Sequence, residues 1–207
     1  KQVTSGFKGV WQTPSLRKLV AARFISNLGN GLGPIAIPFG VLGLPDGNPT
    51  ALSLVWFSTM LPLTGFMLIG VVIGDKFPRA QMVGGTDILL GLIVLANGLA
   101  LISGHGSVAL FIIVGFISGM LNAIWYPSMG ALTSDLADEK ILQESNSAIG
   151  LSSNIALIIG SSIGGVLVAT LGAGWAIAID GLTFLGAGLF VFSLRKYTPV
   201  AKPTSES

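Results

Sequence analysis

The chain alternates between long apolar blocks and short polar segments. Each block is long enough to cross a hydrocarbon core about 30 Å thick, which requires roughly 20 helical residues. The pattern therefore predicts an all-α membrane protein with six transmembrane helices, at 19–41, 51–73, 81–103, 107–130, 146–170 and 175–194. Residues 1–18 and 195–207 fall outside these spans and are interpreted as a polar amino-terminal segment and as either a polar tail or the start of a longer connecting loop.

Composition supports a membrane class. Hydrophobic residues make up 51% of the chain, charged residues only 10%, and the mean hydropathy is +0.80, unlike soluble domains. The net charge of +2 arises from short clusters between apolar blocks, which argues against a nucleic-acid partner and for the lipid bilayer. The chain has no cysteine, which excludes disulfides, thiolate metal sites and cysteine nucleophiles.

The positions of Lys and Arg predict the orientation, because basic residues are held on the cytoplasmic side during insertion. All 11 lie before or early in helix one, or after helices two, four and six. The opposite connections contain Asp46 and His105 but no Lys or Arg. Both termini are therefore predicted to be cytoplasmic.

Three ionisable residues lie inside the predicted spans, where a charge is costly and usually faces a cavity or a partner. Arg23 is about 6 Å inside the predicted start of helix one, so its long side chain is expected to snorkel to the headgroups; a functional role as a coupling or buried polar residue is the alternative. Asp87 and Asp180 are too short to do so. Each is either a carboxylate that loads and releases a proton or a structural hydrogen-bond partner of a neighbouring helix.

Uncharged polar residues recur at helical spacing. Asn27 and Asn30 share a face of helix one, and Asn122 and Tyr126 share a face of helix four. We expect both pairs to line a central cavity; hydrogen bonds between helices are the alternative for each residue.

Small residues in helix five predict close helix packing. Gly160 and Gly164 form a GxxxG pair, and Ser161 and Gly165 repeat the spacing one residue later.

The connection after helix two contains Gly70, Gly74, Asp75, Lys76 and Arg79. It resembles the signature after the second helix of major facilitator transporters, in which a glycine, an Asp-Lys or Asp-Arg pair and a further basic residue form a tight cytoplasmic turn. The resemblance implies that Asp75 latches two transporter halves together and that the basic residues tune this gate. The usual glycine four residues before the Asp is Val71, so helix packing is expected to differ there. An ordinary charged turn is the alternative.

Residues from about 14 to 196 are similar to one branch of this superfamily, the enterobactin exporters and macrolide-efflux proteins. The likeness is carried by segments 26–31, 126–127, 142–147 and 175–184. The end of helix five is similar to the antiporter signature, but Ser161 replaces its proline. Asn30 stands where relatives often carry an acidic residue, so proton coupling would depend on Asp87, Asp180 or another half of the transporter.

The resemblance implies one six-helix half of a transporter whose substrate site lies between two such halves. We expect a fragment whose carboxyl-terminal half is missing; the alternative is a natural half-length protein that pairs with a second copy or a separate half. The implied function is export of a small amphipathic drug or siderophore by alternating access in the bacterial inner membrane, using the proton gradient and no cofactor. A transport-inactive membrane module that needs a partner half is the other possibility.

An intramembrane enzyme is disfavoured because it needs a nucleophile with a base, or a metal site. His105 is the only histidine and lies between two glycines in a predicted external turn. A Ser-His pair inside the membrane and a histidine zinc site are therefore both unexpected, and no enzymatic activity is predicted.

Overall fold

The computed structural model describes residues 9–74 and 76–196. Six long helices dominate this part of the chain, and no strand occurs in it. They are α1 (Pro14–Leu42), α2 (Pro49–Gly74), α3 (Arg79–Ile102), α4 (Val108–Leu136), α5 (Leu142–Leu171) and α6 (Ala173–Phe192). Short 3-10 turns follow α4 at Glu139–Ile141 and α6 at Ser193–Lys196. The predicted all-α class is confirmed.

Helices α2 to α6 are long and apolar enough to cross a membrane. Helix α1 has 29 residues, which is sufficient length, but it carries more polar side chains, including Arg23, Asn27 and Asn30. It packs against both α5 and α6, so neighbouring helices cover much of its surface. A polar helix is tolerated in a bilayer when its polar side chains face protein and not lipid.

The observed helices differ in extent from the predicted spans. Helix α1 begins at Pro14, before the predicted start at 19, and α4 continues to Leu136, beyond the predicted end at 130. The apolar pattern marks the hydrocarbon-spanning part, whereas backbone hydrogen bonding continues into the polar residues that follow. Residues 1–8 and 197–207 of the predicted polar ends lie outside the described part.

Local sequence explains several helix ends. Proline at the first position of α1 lacks the N–H that would be unpaired there. The Ser107 hydroxyl caps α4 by accepting a hydrogen bond from the Leu110 N–H at 3.2 Å. Gly172 has a φ of +90°, which favours glycine and lets the chain pass directly from α5 into α6.

The helices pair in a continuous series. Helix α2 packs mainly on α4, α4 also on α3, α3 on α6, α6 on α1, and α1 on α5. Helices α2 and α5 therefore lie at the two ends of the series and leave large apolar side chains uncovered. Leu68 is 82% exposed and Ile158 is 68% exposed. In a membrane such surfaces face lipid or another protein.

The most extensive helix contact, between α3 and α6, is built on glycine. Glycines recur every seventh residue on both helices and meet in antiparallel order: Gly84, Gly91 and Gly98 on α3, and Gly188, Gly181 and Gly174 on α6. A Cβ atom on Gly91 would lie 2.7 Å from the Leu185 backbone nitrogen. The absence of side chains at these positions thus lets the two backbones approach closely.

One end of the bundle is basic. Helices α1, α3 and α5 begin there and α2, α4 and α6 end there, which brings together the following described residues: Arg17, Lys18, Lys76, Arg79, Lys140, Arg195 and Lys196. We call this the basic end. The opposite end carries Asp46 and His105 in its connections.

Candidate functional site

A cavity of about 470 Å³ lies among helices α1, α3, α4, α5 and α6. This volume is within the range of small-molecule sites. Its wall combines charged, amide, aromatic and aliphatic side chains: Arg23, Ser26, Asn27, Asn30, Asp87, Asn122, Trp125, Tyr126, Met129, Ile149, Ser153, Leu157 and Phe184.

Helix α1 contributes a polar stripe. Asn27 donates hydrogen bonds from its amide nitrogen to the Arg23 carbonyl at 2.8 Å and to the Ser153 hydroxyl of α5 at 3.0 Å. Asn30 donates to the Asn27 side-chain oxygen at 3.4 Å. Asn27 therefore both faces the cavity and joins α1 to α5, so the two roles considered for it from sequence occur together.

Helix α4 supplies the facing polar residues. The Asn122 amide donates to the Ser118 carbonyl of its own helix at 2.9 Å. Tyr126 is 53% exposed and meets Trp125 edge to face, with ring centroids 5.2 Å apart. The structure thus brings the predicted pairs on α1 and α4 around one cavity.

Arg23 departs from its expected position. The side chain is only 7% exposed, and its guanidinium carbon lies 4.4 Å from the centroid of the Trp125 ring. Its Nη1 donates to the Ser26 hydroxyl at 3.3 Å. The expected snorkelling to the headgroups was wrong, because an aromatic face inside the bundle holds the cation in place.

Asp87 of α3 faces the same cavity and is 1% exposed. Among the described residues, its Oδ2 and the Trp125 Nε1 both lack a hydrogen-bond partner. Arg23 is near enough for the two charges to interact, yet no ion pair joins them within 4 Å in the part of the chain the structure describes. The cavity therefore contains two opposite charges that are not directly paired.

Asp180 lies elsewhere. It is 8% exposed at the contact between α6 and α1, and it is not part of the cavity wall. Its carboxylate sits against Gly29, where a Cβ atom would collide with Oδ1, and Oδ1 has no partner among the described residues. The structure thus separates two carboxylates that the sequence left equivalent.

The gate motif joins helices near the basic end. Gly70 meets the Ala123 backbone of α4, and a Cβ atom on Gly74 would lie 2.7 Å from the Ser128 hydroxyl. Val71, which stands where the family signature has its glycine, is 41% exposed. Helix α4 instead contacts Gly70, one residue earlier.

The basic residues of that motif behave differently from one another. Lys76 is exposed, whereas Arg79 Nη1 forms an ion pair with Asp135 Oδ1 of α4 at 2.8 Å. Asp75, to which the resemblance assigns the latch, lies outside the described residues.

The predicted packing motif on α5 is only partly realised. Gly160 meets the Leu28 carbonyl of α1, and a Cβ atom on Gly164 would lie 3.2 Å from the Leu32 Cα. Ser161 donates to the Gly31 carbonyl at 3.1 Å. The inclusion of Gly165 was wrong, since a Cβ there would meet nothing within 4 Å. One residue turns a helix by about 100°, which moves Gly165 off the face that Gly164 presents to α1.

Sequence reasoning missed several cavity residues, including Trp125, Ser153 and Phe184. Ser153 lies four residues before Leu157 and four after Ile149, so the three share one face of α5. The sequence shows this spacing, but it does not show whether an apolar helix face contacts lipid, a neighbouring helix or a cavity.

A family model described as "Major Facilitator Superfamily" matches residues 19–207, which is most of the chain. The chain belongs to the Major Facilitator Superfamily. It is therefore an integral membrane protein of a transporter family whose substrates are small molecules.

Two curated relatives agree with this membership. The chain is 24% identical over 186 residues to "Uncharacterized MFS-type transporter YkuC" of Bacillus subtilis, which covers 90% of the chain and 43% of that protein. It is 26% identical over 146 residues to "Putative multidrug resistance protein MdtD" of Yersinia pestis, which covers 70% of the chain and 31% of that protein. The chain thus spans less than half the length of these relatives.

A solved structure shares the fold. The crystal structure of the POT family transporter PepTSo superposes with a TM-score of 0.74 at 20% sequence identity, over 94% of the chain and 40% of that transporter. The six-helix bundle therefore has the fold of part of this transporter.

Proposed function

We propose that this chain forms the amino-terminal half of a secondary active transporter that exports a small amphipathic molecule by alternating access. The observation that carries the proposal is the cavity, in which a polar wall from α1 and α4 faces aliphatic side chains of α5. Such a wall can hold both ends of an amphipathic molecule. The name of the Yersinia relative supports a drug-type substrate, and the sequence likeness to enterobactin and macrolide exporters extends the class to siderophores.

In this proposal the bundle rocks as a body against a second bundle, with the substrate between them. The uncovered apolar sides of α2 and α5 are available for contact with that second bundle. The Arg79–Asp135 pair joins the start of α3 to the end of α4 within this bundle.

Proton coupling is assigned to Asp87. A coupling group must sense the substrate, and Asp87 shares the cavity wall with Asn27, Asn30 and Asn122. Asp180 is packed between α1 and α6 away from that wall, which favours a structural role.

The basic end is assigned to the cytoplasm of a bacterial cell. All described Lys and Arg residues outside the cavity lie at that end, as expected of residues that resist translocation.

The test is dye efflux from a bacterial host that lacks its own drug exporters. The chain is expressed alone and with a carboxyl-terminal six-helix half supplied as a second polypeptide, and a panel of anionic, neutral and cationic amphipathic dyes is used. We expect lower dye accumulation, reversed by a protonophore, when the second half is present. Efflux by the chain alone would instead indicate pairing of two copies.

Membrane insertion and expression of both polypeptides are checked in parallel by immunoblotting of membrane fractions. If the assembled pair inserts but moves none of the dyes, the transporter proposal fails. The chain is then better described as an interaction module of the membrane.

A further inference from the structure

Among the described residues, the cavity wall has one cation, Arg23, and most of its N–H donors have no hydrogen-bond partner. A guanidinium carries five N–H donors in a planar fork. Among the described residues, only the Ser26 hydroxyl accepts a hydrogen bond from it, at 3.3 Å. The side chain is nevertheless only 7% exposed and lines the cavity. A nearly buried cation with unfilled donors is a costly arrangement unless an anion completes it.

Asp87 does not complete it. No ion pair joins Asp87 and Arg23 within 4 Å in the described part of the chain, and Oδ2 of Asp87 has no hydrogen-bond partner there. The carboxylate lines the same cavity as Arg23 but does not occupy its donors. The fork therefore stays available to a ligand.

Trp125 gives the guanidinium a fixed orientation. The guanidinium carbon lies 4.4 Å from the ring centroid, so the ring covers one side of it. Restricting the cation in this way lowers the entropy lost when it binds a carboxylate through two parallel hydrogen bonds. A lysine in the same place would offer a point charge without the fork.

The rest of the wall fits a molecule with an apolar body. Met129, Ile149, Leu157 and Phe184 line the same cavity as Arg23. The Ser153 hydroxyl and the Asn27 amide supply neutral hydrogen-bonding groups nearby. The wall has no second cation among the described residues, which matches a ligand with one anionic group.

We infer that the transported molecule is an amphipathic anion whose carboxylate or similar acidic group binds the Arg23 guanidinium, with Trp125 as the positioning residue. The inference rests on the proposed function and adds the charge class of its substrate. It assigns Arg23 to ligand recognition and leaves Asp87 as the proposed coupling group beside it.

The test measures binding to the purified 207-residue chain in lipid nanodiscs by equilibrium dialysis. The probes are dansylglycine, which is anionic, its neutral carboxamide, and the cationic dansylcadaverine. We expect dansylglycine to bind at least about tenfold more tightly than the carboxamide, as charge-assisted hydrogen bonds predict. Equal binding of these two, or preference for the cation, overturns the inference and leaves the transporter proposal standing. Binding of none of the three overturns the inference and also removes the cavity as support for that proposal.

Variants test whether Arg23 causes the preference for the anionic probe. Arg23→Gln is expected to lose the anion preference, Arg23→Lys to retain part of it, and Arg17→Gln to leave it unchanged. Arg17 is the matched control because it lies on the same helix and is exposed at the basic end. Folding of each variant is checked by circular dichroism and gel filtration. Retention of the full preference in folded Arg23→Gln contradicts the assignment, and the wild-type comparison decides the inference even if that variant does not fold.

Discussion

Arg23 shows how its immediate neighbours determine what a buried charge does. Its helical position alone is compatible with a side chain that reaches the headgroups. Trp125 and Ser26 instead hold the guanidinium beside the cavity, at 4.4 Å and 3.3 Å respectively. Neighbouring residues also distinguish the two buried carboxylates. Asp87 faces this cavity, whereas Asp180 is packed against Gly29.

The different surroundings of Asp87 and Asp180 predict different effects of removing each carboxylate. In the transport-competent assembly, Asp87→Asn is expected to reduce protonophore-sensitive dye efflux by at least about tenfold, because it removes a titratable group from the cavity. Asp180→Asn, the matched control, should retain most of it. Efflux rates at equal expression give the measurement. The opposite ranking would move the coupling site to the α1–α6 contact.

A second prediction concerns the ion pair between Arg79 and Asp135, whose side chains are 26% and 33% exposed. Partly solvated pairs contribute little, so a double-mutant cycle with Arg79→Gln and Asp135→Asn should give a coupling energy of about 1 kcal/mol or less. Unfolding free energies in mixed detergent micelles provide the measurement. Coupling of several kcal/mol would show that this pair is a principal structural link between α3 and α4.

Helices associate in this bundle mainly through small residues. The seven-residue glycine repeats of α3 and α6 place backbone against backbone, and Gly160 does the same between α5 and α1. Apolar side chains gain little by leaving lipid for another helix, so close packing must supply the attraction. The complementary shapes of these glycine-bearing surfaces therefore determine which helix faces meet.

The glycine contacts can be tested by comparing alanine substitutions on the contacting and the non-contacting faces of α3 and α6. Gly91→Ala and Gly181→Ala should each lower the unfolding free energy by about 1–3 kcal/mol, because the added methyl group forces α3 and α6 apart. Gly85→Ala and Gly186→Ala are the matched controls, since a Cβ at either meets nothing within 4 Å. They should be neutral or slightly stabilising through helix propensity. Similar losses in all four variants would contradict the packing account.

The small-residue motif of α5 allows a similar comparison between a glycine that contacts α1 and one that does not. Gly160→Ala should destabilise the contact with the Leu28 carbonyl, whereas Gly165→Ala faces open space and should not. Thermal unfolding of the two variants in the same detergent measures the difference. Equal midpoints would show that α1 can move to accept the methyl group.

At the scale of the whole molecule, alternation of the helices collects the described basic residues outside the cavity at one end. The chain has no cysteine, so single-cysteine variants can report orientation without background labelling. His105 and Lys140 are exposed in connections at opposite ends. We expect an impermeant thiol reagent added to intact cells to label His105→Cys but not Lys140→Cys, and to label Lys140→Cys after permeabilisation. The reverse pattern would invert the assigned topology.

The sequence by itself determined the all-α membrane class and the approximate positions of six long helices, five of which are long and apolar enough to cross a membrane. These features follow from the free energy of placing apolar and charged residues in a bilayer, which depends on composition along the chain and not on which helices meet. The motif after helix two and the likeness over residues 14–196 also indicated the superfamily. The asparagine and tyrosine positions on α1 and α4 could be predicted because residues three or four apart share a helix face.

Only the tertiary structure decided which faces meet. It placed Trp125 beneath Arg23, separated Asp87 from Asp180, and turned Gly165 away from α1. Each of these depends on the rotation of one helix against another, a choice made by contacts between residues distant in the sequence. Helical periodicity gives the angle between residues on one helix but not the direction in which a neighbouring helix lies, so the chemistry of the cavity emerged only in the assembled bundle.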